Sequence, residues 1–280
     1  MISIAAILDG LRYSENVQRY ALMVAKQQGA HVNGVLPEDF TYNSFGMYQV
    51  LKSGADADTI NKLENADKAT RKASAAIFEA ACQKANVPYS IHHHRNVSLL
   101  DVLETSIYSD LLIVDRKETF AHDTMNPPTR FIRDLLTDVQ CPVLLTPSGK
   151  AASTPEWANV VLLYDGEPSS VYAIKMYSYL LAAVLPVSVT VLSVNEAGNH
   201  LQNRHLVHDF ILGHFPKATY RVVEGDPETE IIGYLQNQPN NTLVVLGAYR
   251  RGAVSRWFRE SMADVLMSKL NLPLFIAHNK

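Results

Sequence analysis

The sequence has little cysteine, little net charge and no long apolar run, and each shortage excludes a class of protein. Cys82 and Cys141 are the only cysteines in 280 residues, which excludes a disulfide scaffold and a cysteine-rich zinc site and suits a reducing compartment. The formal net charge of -3 argues against nucleic acid as a partner. No run approaches the roughly 18 apolar residues of a membrane helix, and the N-terminus lacks the basic segment of a signal peptide. We therefore expect a cytoplasmic protein that does not bind a membrane.

The motifs of several enzyme classes are missing too. The chain contains no G-x-S-x-G nucleophile turn, no G-x-x-x-x-G-K-[ST] phosphate loop and no G-x-G-x-x-G after a strand. Three consecutive histidines at 92–94 would point alternate rings to opposite faces of a strand, which is a poor metal site. We assign no catalytic residue and no metal, since an enzyme would be supported by fold analogy alone.

Short apolar runs rich in β-branched residues alternate with longer helical patterns along the whole chain. This alternation predicts parallel strands joined by crossover helices, in a chain long enough for two α/β domains. The expected strands are residues 3–8, 30–36, 89–93, 111–114 and 142–146 in the first half, and 160–164, 187–194, 219–223, 243–246 and 274–277 in the second.

The two halves begin and end alike, which indicates an internal duplication. Each opens on a strand that ends in Asp-Gly, at Asp9 and Asp165, and each closes on a strand that begins at Pro142 or Pro273. A small polar linker separates them, so we expect domains at residues 1–148 and 158–280.

The first half is longer between these anchors, and we place its excess at residues 37–60, ahead of a long helix. This insertion is rich in aromatic residues, which suits a lid, a subunit surface or simple packing. The aromatic-rich stretch comprises Phe40, Tyr42, Phe45 and Tyr48 together with Met47.

A unit that opens on Asp-Gly and ends with a glycine-bearing loop, a helix and a CPV or LPL strand resembles the universal stress protein family. The resemblance covers nearly the whole chain, twice. It implies two tandem five-stranded parallel-sheet domains of the Rossmann-like, adenine nucleotide alpha hydrolase-like class, packed as a pseudo-dimer. The closing strands PVLLTP and PLFIAH would then pair and cover each other's apolar edges.

Members of that family carry G-x2-G-x9-G-[ST] after the fourth strand, where glycines let backbone N–H groups approach phosphate. In the second half Gly247 matches the first glycine and Ser261 the final hydroxyl, and Gly252 stands where many members have an additional glycine. Arg250 and Glu260 replace the second and third glycines. Arg250 offers phosphate a charge-assisted contact, whereas a carboxylate at the helix start competes with it.

The resemblance implies further contacts at the carboxyl ends of the strands, where open α/β sheets bind ligands. Asp165 would lie near the base or ribose, Val194 would contact adenine, and Gly225 belongs to a Gly-x-Pro turn. The full candidate set is Asp165, Val194, Gly225, Gly247, Arg250, Gly252, Ser261 and Met262.

The first half departs further from the pattern. Its segment after the fourth strand, IVDRKETFAHDTMNPPTRFIRDLL, has no glycine, and Thr129 and Arg130 stand where the family has its final Gly-Ser. We infer that this half binds no nucleotide and keeps only Asp9, a residue that ordinary turn chemistry also explains.

Two functions remain open for the whole chain. The first is a non-catalytic stress-response protein that acts through protein partners, with weak or absent nucleotide binding and with homodimer formation among its expected interactions. The alternative is a regulatory module that binds ATP or another adenine nucleotide in the second half.

Overall fold

The computed structural model describes residues 2–38, 42–94, 98–122, 124–149, 157–181, 187–196, 201, 203–247 and 261–278. The chain divides into two compact units, residues 1–140 and 141–280. Each unit is an α/β structure in which most neighbouring strands are parallel. No helix among these residues is long and apolar enough to cross a membrane.

The first unit is built on a parallel sheet with the strand order β3-β2-β1-β4. Its strands are β1 (Ser3–Ile7), β2 (His31–Pro37), β3 (Tyr89–His94) and β4 (Leu111–Asp115). Its helices are α1 (Glu15–Gln28), α2 (Met47–Lys52), α3 (Ala57–Ala85), α4 (Ser98–Ile107) and α5 (Arg130–Asp138).

The second unit has the strand order β5-β10-β9-β6-β7-β8. Its strands are β5 (Val143–Thr146), β6 (Asn159–Leu163), β7 (Ser188–Asn195), β8 (Thr219–Glu224), β9 (Thr242–Leu246) and β10 (Leu274–Ile276). Its helices are α6 (Pro168–Leu180), α7 (Arg204–His214), α8 (Pro227–Gln236) and α9 (Met262–Lys269).

The closing strands of the two sequence repeats pair with each other inside this second unit. β5 runs antiparallel to β10, with Leu145 opposite Leu274 and Val143 opposite Ile276. Beside the ladder, Ser148 and Asn271 exchange two hydrogen bonds of 3.0 Å. The pairing expected of PVLLTP and PLFIAH is therefore present. β5 lies in the second compact unit, which begins at residue 141, and the expected domains at residues 1–148 and 158–280 stay a prediction. The packing of the two halves as a pseudo-dimer stays a prediction.

The strands lie within one residue of the expected ones because the central strands are buried on both faces and so read as continuous apolar runs. β4 and β9 are almost wholly buried, whereas the edge strand β8 is largely exposed. The insertion differs from expectation, since α2 forms within it and α3 already begins at Ala57.

One glycine in β2 marks the closest approach between the first sheet and the long helix α3. A Cβ atom built on Gly34 would lie 2.5 Å from Cε1 of Phe78, whose side chain is fully buried. Only glycine therefore fits beneath this ring without a shift of the helix.

We predict that Gly34→Ala lowers the free energy of unfolding by about 1–3 kcal/mol, because the added methyl overpacks the contact with Phe78. Urea denaturation followed by circular dichroism measures the change. Gly213→Ala is the matched control: its Cβ meets nothing within 4 Å, and alanine in a helix should stabilise the protein by about 0.5–1 kcal/mol. Equal losses in both variants would contradict the packing argument.

Candidate functional site

The two Asp-Gly sequences occupy matching places, immediately after the first strand of each repeat. Asp9 follows β1 and Asp165 follows β6, at the carboxyl end of a parallel sheet in both units. The surroundings of the two carboxylates differ, so the two halves differ in their chemistry at this position.

The Asp9 carboxylate is buried and accepts three hydrogen bonds from Leu11, Tyr42 and Arg12. Oδ1 accepts from the backbone N–H of Leu11 at 2.8 Å. Oδ2 accepts from the hydroxyl of Tyr42 at 2.6 Å and from Nε of Arg12 at 3.0 Å. With an exposed fraction of 1%, this carboxylate faces protein instead of solvent.

Arg12 joins three segments of the first unit. Its Nε also lies 2.9 Å from the hydroxyl of Tyr42, and its guanidinium carbon stands 5.4 Å from the centre of that ring. At the other end, Nη2 donates to Oγ1 of Thr119 at 2.8 Å and lies 3.8 Å from Oε1 of Glu118. The side chain thus connects the end of β1, the insertion and the loop after β4.

Tyr42 is held in place from the opposite side by α3. Nη2 of Arg71 donates to the carbonyl oxygen of Tyr42 at 2.5 Å. Two residues further on, the N–H and the hydroxyl of Ser44 both donate to the buried carboxylate of Asp67. We call residues 42–46 the arm, because this segment of the insertion lies between α3 and the end of β1.

Glu118 is the second buried carboxylate of this cluster, with an exposed fraction of 6%. Its Oε1 accepts from the N–H groups of Thr119 and Phe120, at 2.9 and 3.0 Å. Burial, and secondly the charge of Asp9, raise the pKa of Glu118 to about 8. Both effects favour the protonated form of this carboxyl group.

The loop after β4 is closed by packing and capping as well. Phe120 packs edge-on between the rings of Tyr42 and Phe131, with centroid distances of 6.5 and 4.9 Å. The hydroxyl of Thr129 donates to the carbonyl of Glu118 and accepts from the N–H of Ile132 at the start of α5. Thr129, aligned with a motif glycine, thus serves as a helix cap.

Asp165 in the second half accepts fewer hydrogen bonds from described residues than Asp9 does. Among the described residues, its carboxylate accepts one hydrogen bond, from the N–H of Glu167 to Oδ1 at 2.9 Å. The side chain is partly exposed. The strand order β9-β6-β7-β8 brings the ends of four parallel strands to one edge, so that Asp165 shares this edge with Val194, Gly225 and Gly247.

For each of these three neighbours, the structure explains the residue type without a ligand. Gly225 has a φ of +149°, a backbone conformation that favours glycine. A Cβ on Gly247 would strike the backbone of Ser169 and lie 2.8 Å from the nitrogen of Ser170, so glycine lets β9 approach the start of α6. Val194 is fully buried. A ligand contact by any of the three stays a prediction.

The end of the motif is described only in part. Ser261 precedes α9 as its N-cap residue, and its buried hydroxyl has no hydrogen-bond partner among the described residues. Met262 is buried in the first turn of α9. Arg250, Gly252 and Glu260 lie outside the described residues.

Sequence reasoning missed two members of the first cluster, Arg12 and Glu118. Their signal was weak: a basic residue three positions after Asp9 and an acidic residue three positions after the end of β4. Tyr42 is one of the aromatic residues of the insertion. Of the three roles left open for these residues, Tyr42 has that of packing against its unit. No cluster of three metal-ligating side chains occurs in the part of the chain that the structure describes.

No family model matches the sequence, and no curated protein matches it. Solved structures do. The chain is similar to a universal stress protein from Archaeoglobus fulgidus DSM 4304, with a TM-score of 0.69 at 11% identity over 99% of this chain and 96% of that chain. This chain has the fold of universal stress proteins.

Two further solved structures agree with that result. A putative universal stress protein from Pseudomonas aeruginosa UCBPP-PA14 gives a TM-score of 0.61 at 16% identity, over 98% of this chain and 92% of that chain. A functionally unknown protein from Pseudomonas aeruginosa PAO1 gives 0.60 at 15% identity, over 98% and 91%. Because the likeness spans nearly all of each chain, it includes both halves.

We predict that Asp9→Asn lowers the free energy of unfolding by about 1.5–3 kcal/mol, because an amide cannot accept hydrogen bonds at both positions. The Asn NH2 group would face a donor, either Leu11 or Tyr42 and Arg12. Asp165→Asn is the matched control and should cost about 0.5 kcal/mol or less. Urea denaturation without nucleotide measures both, and similar losses would contradict the contrast between the sites.

Proposed function

We propose that the chain is a non-catalytic stress-response protein of the tandem universal stress type, which acts through partner proteins with weak or absent nucleotide binding. The fold likeness over both halves supports the family assignment. The sequence carries none of the nucleophile or phosphate-loop motifs sought above, and the described residues hold no cluster of three metal-ligating side chains. Association with other proteins, including a second copy of this chain, is therefore the role we propose. The low cysteine content, two in 280 residues, suits a reducing compartment and supports a cytoplasmic location within this proposal.

The observation that carries the proposal is the occupied Asp9 carboxylate. A ligand at the end of β1 would need acceptors on Asp9, and these already bind Leu11, Tyr42 and Arg12. Removing these partners would leave a buried charge unpaired, at a cost of several kcal/mol. The first half is therefore best explained as a structural half without nucleotide.

The second half supports the alternative, an ATP-binding regulatory module. Asp165 keeps acceptor capacity, and the buried hydroxyl of Ser261 has no described partner. Against tight binding, Arg250 and Glu260 stand at two of the three motif glycines. A side chain there limits how closely the backbone can approach phosphate. Weak or absent binding remains our first choice on this ground.

We predict that the freshly purified protein carries no nucleotide by mass spectrometry and binds ATP with a dissociation constant of about 1 mM or weaker, near 4 kcal/mol of binding free energy. Isothermal titration calorimetry measures the affinity. ATP hydrolysis should not exceed that of a protein-free solution.

Two variants locate any binding that is found. Asp165→Ala should abolish residual binding, whereas Asp209→Ala removes a carboxylate with an 83% exposed side chain on α7 and should leave binding unchanged. A copurified nucleotide, or affinity in the low micromolar range, would refute the first proposal, and loss of that binding in Asp165→Ala would establish the alternative.

A further inference from the structure

The arm depends on two carboxylates that share one cation. Asp9 and Glu118 are both buried, and Arg12 lies between them, 3.0 Å from Oδ2 of Asp9 and 3.8 Å from Oε1 of Glu118. A single guanidinium compensates one buried negative charge well and two poorly. The cluster is therefore balanced only while one of its carboxyl groups is protonated.

Geometry assigns the proton to Glu118, because Arg12 lies 3.0 Å from Asp9 but 3.8 Å from Glu118, and Asp9 also accepts from the Tyr42 hydroxyl. Burial and the neighbouring Asp9 raise the pKa of Glu118 to about 8, and its two backbone hydrogen bonds are too few to reverse this. The charged and titratable groups that face it are Asp9 and Arg12 from the end of β1 and Tyr42 from the arm. At the start of α5, the uncharged hydroxyl of Thr129 donates to the backbone carbonyl of Glu118. On α3, the guanidinium of Arg71 donates to the carbonyl of Tyr42 and not to Glu118.

Arg12 also couples the protonation state of Glu118 to the position of the arm, because it contacts both. The same Nε donates to Asp9 and lies 2.9 Å from the Tyr42 hydroxyl, while Nη2 lies nearest to Glu118. A negative charge on Glu118 would attract the guanidinium toward the loop after β4. That movement would weaken its contacts with Asp9 and Tyr42, which hold the arm at the end of β1, and would leave the contacts with Asp67 and Arg71 on α3 as its remaining anchors.

We propose that the arm is a pH-controlled strap, which is docked while Glu118 is protonated and is released when Glu118 loses its proton. The sign follows from the raised pKa: the folded state holds a proton that an unfolded chain releases at its ordinary value of 4.5. The stabilisation is complete below that value and is lost as the pH rises through about 8. The device concerns the first half only and is independent of nucleotide binding in the second.

Hydrogen–deuterium exchange of the full chain, corrected for the intrinsic pH dependence of exchange, tests the strap. One pKa unit between docked and released states changes the docking equilibrium tenfold. We therefore expect protection of residues 42–46 and 118–122 to fall about tenfold or more between pH 7 and pH 9. Glu118→Gln should keep the protection at pH 9, because its side chain cannot ionise.

Glu104→Gln is the control, since Glu104 is exposed on α4 of the same unit, and this variant should behave like the natural chain. Constant protection of the arm in the natural chain from pH 7 to pH 9 would overturn the proposal. So would an equal loss of protection in Glu118→Gln, which would assign the transition to another group.

Tyr42→Phe gives a second test that does not alter Glu118. Without its hydroxyl the arm loses its bond to Asp9, so its protection at pH 7 should already match that of the natural chain at pH 9. Raising the pH should then change it little. A pH-dependent loss as large as that of the natural chain would contradict the link through Arg12 and Tyr42.

Discussion

The first half of the molecule depends on one constraint, the need to compensate the buried carboxylate of Asp9. An ionised carboxylate removed from water must be hydrogen-bonded or paired. Leu11 and Arg12, from the loop after β1, and Tyr42, from the arm, meet that need. The position of the arm and the closure of the loop after β4 both follow from it.

The duplicated halves thus use one motif in two chemical ways. In the second half the corresponding carboxylate is partly exposed and bonds to a nearby backbone N–H, which is what a turn after a strand requires. In the first half the insertion supplies a phenol and the loop after β1 supplies a cation, so the chain itself occupies the site. The insertion, which has its own anchor on α3, thus gives Asp9 contacts that Asp165 does not have among the described residues.

The fold was largely predictable from the sequence, and the site was not, for physical reasons. The strands were predictable because burial on both faces imposes apolar runs, and the repeat was predictable because Asp9 and Asp165 end equivalent strands. The contact between Asp9 and Tyr42 joins residues 33 positions apart through an insertion without a periodic pattern. Glu118 reads as an ordinary loop residue until the structure shows its burial. Gly247 shows that a motif match can have a second explanation. The motif assigns this glycine to phosphate binding, but close packing against Ser169 also requires glycine there.

The antiparallel ladder of β5 and β10 bears on how the protein can be divided. Gene fragments cut in the polar linker would give the N-terminal piece a short apolar strand whose hydrogen-bonding partner is on the other fragment. Such an uncovered edge invites self-association.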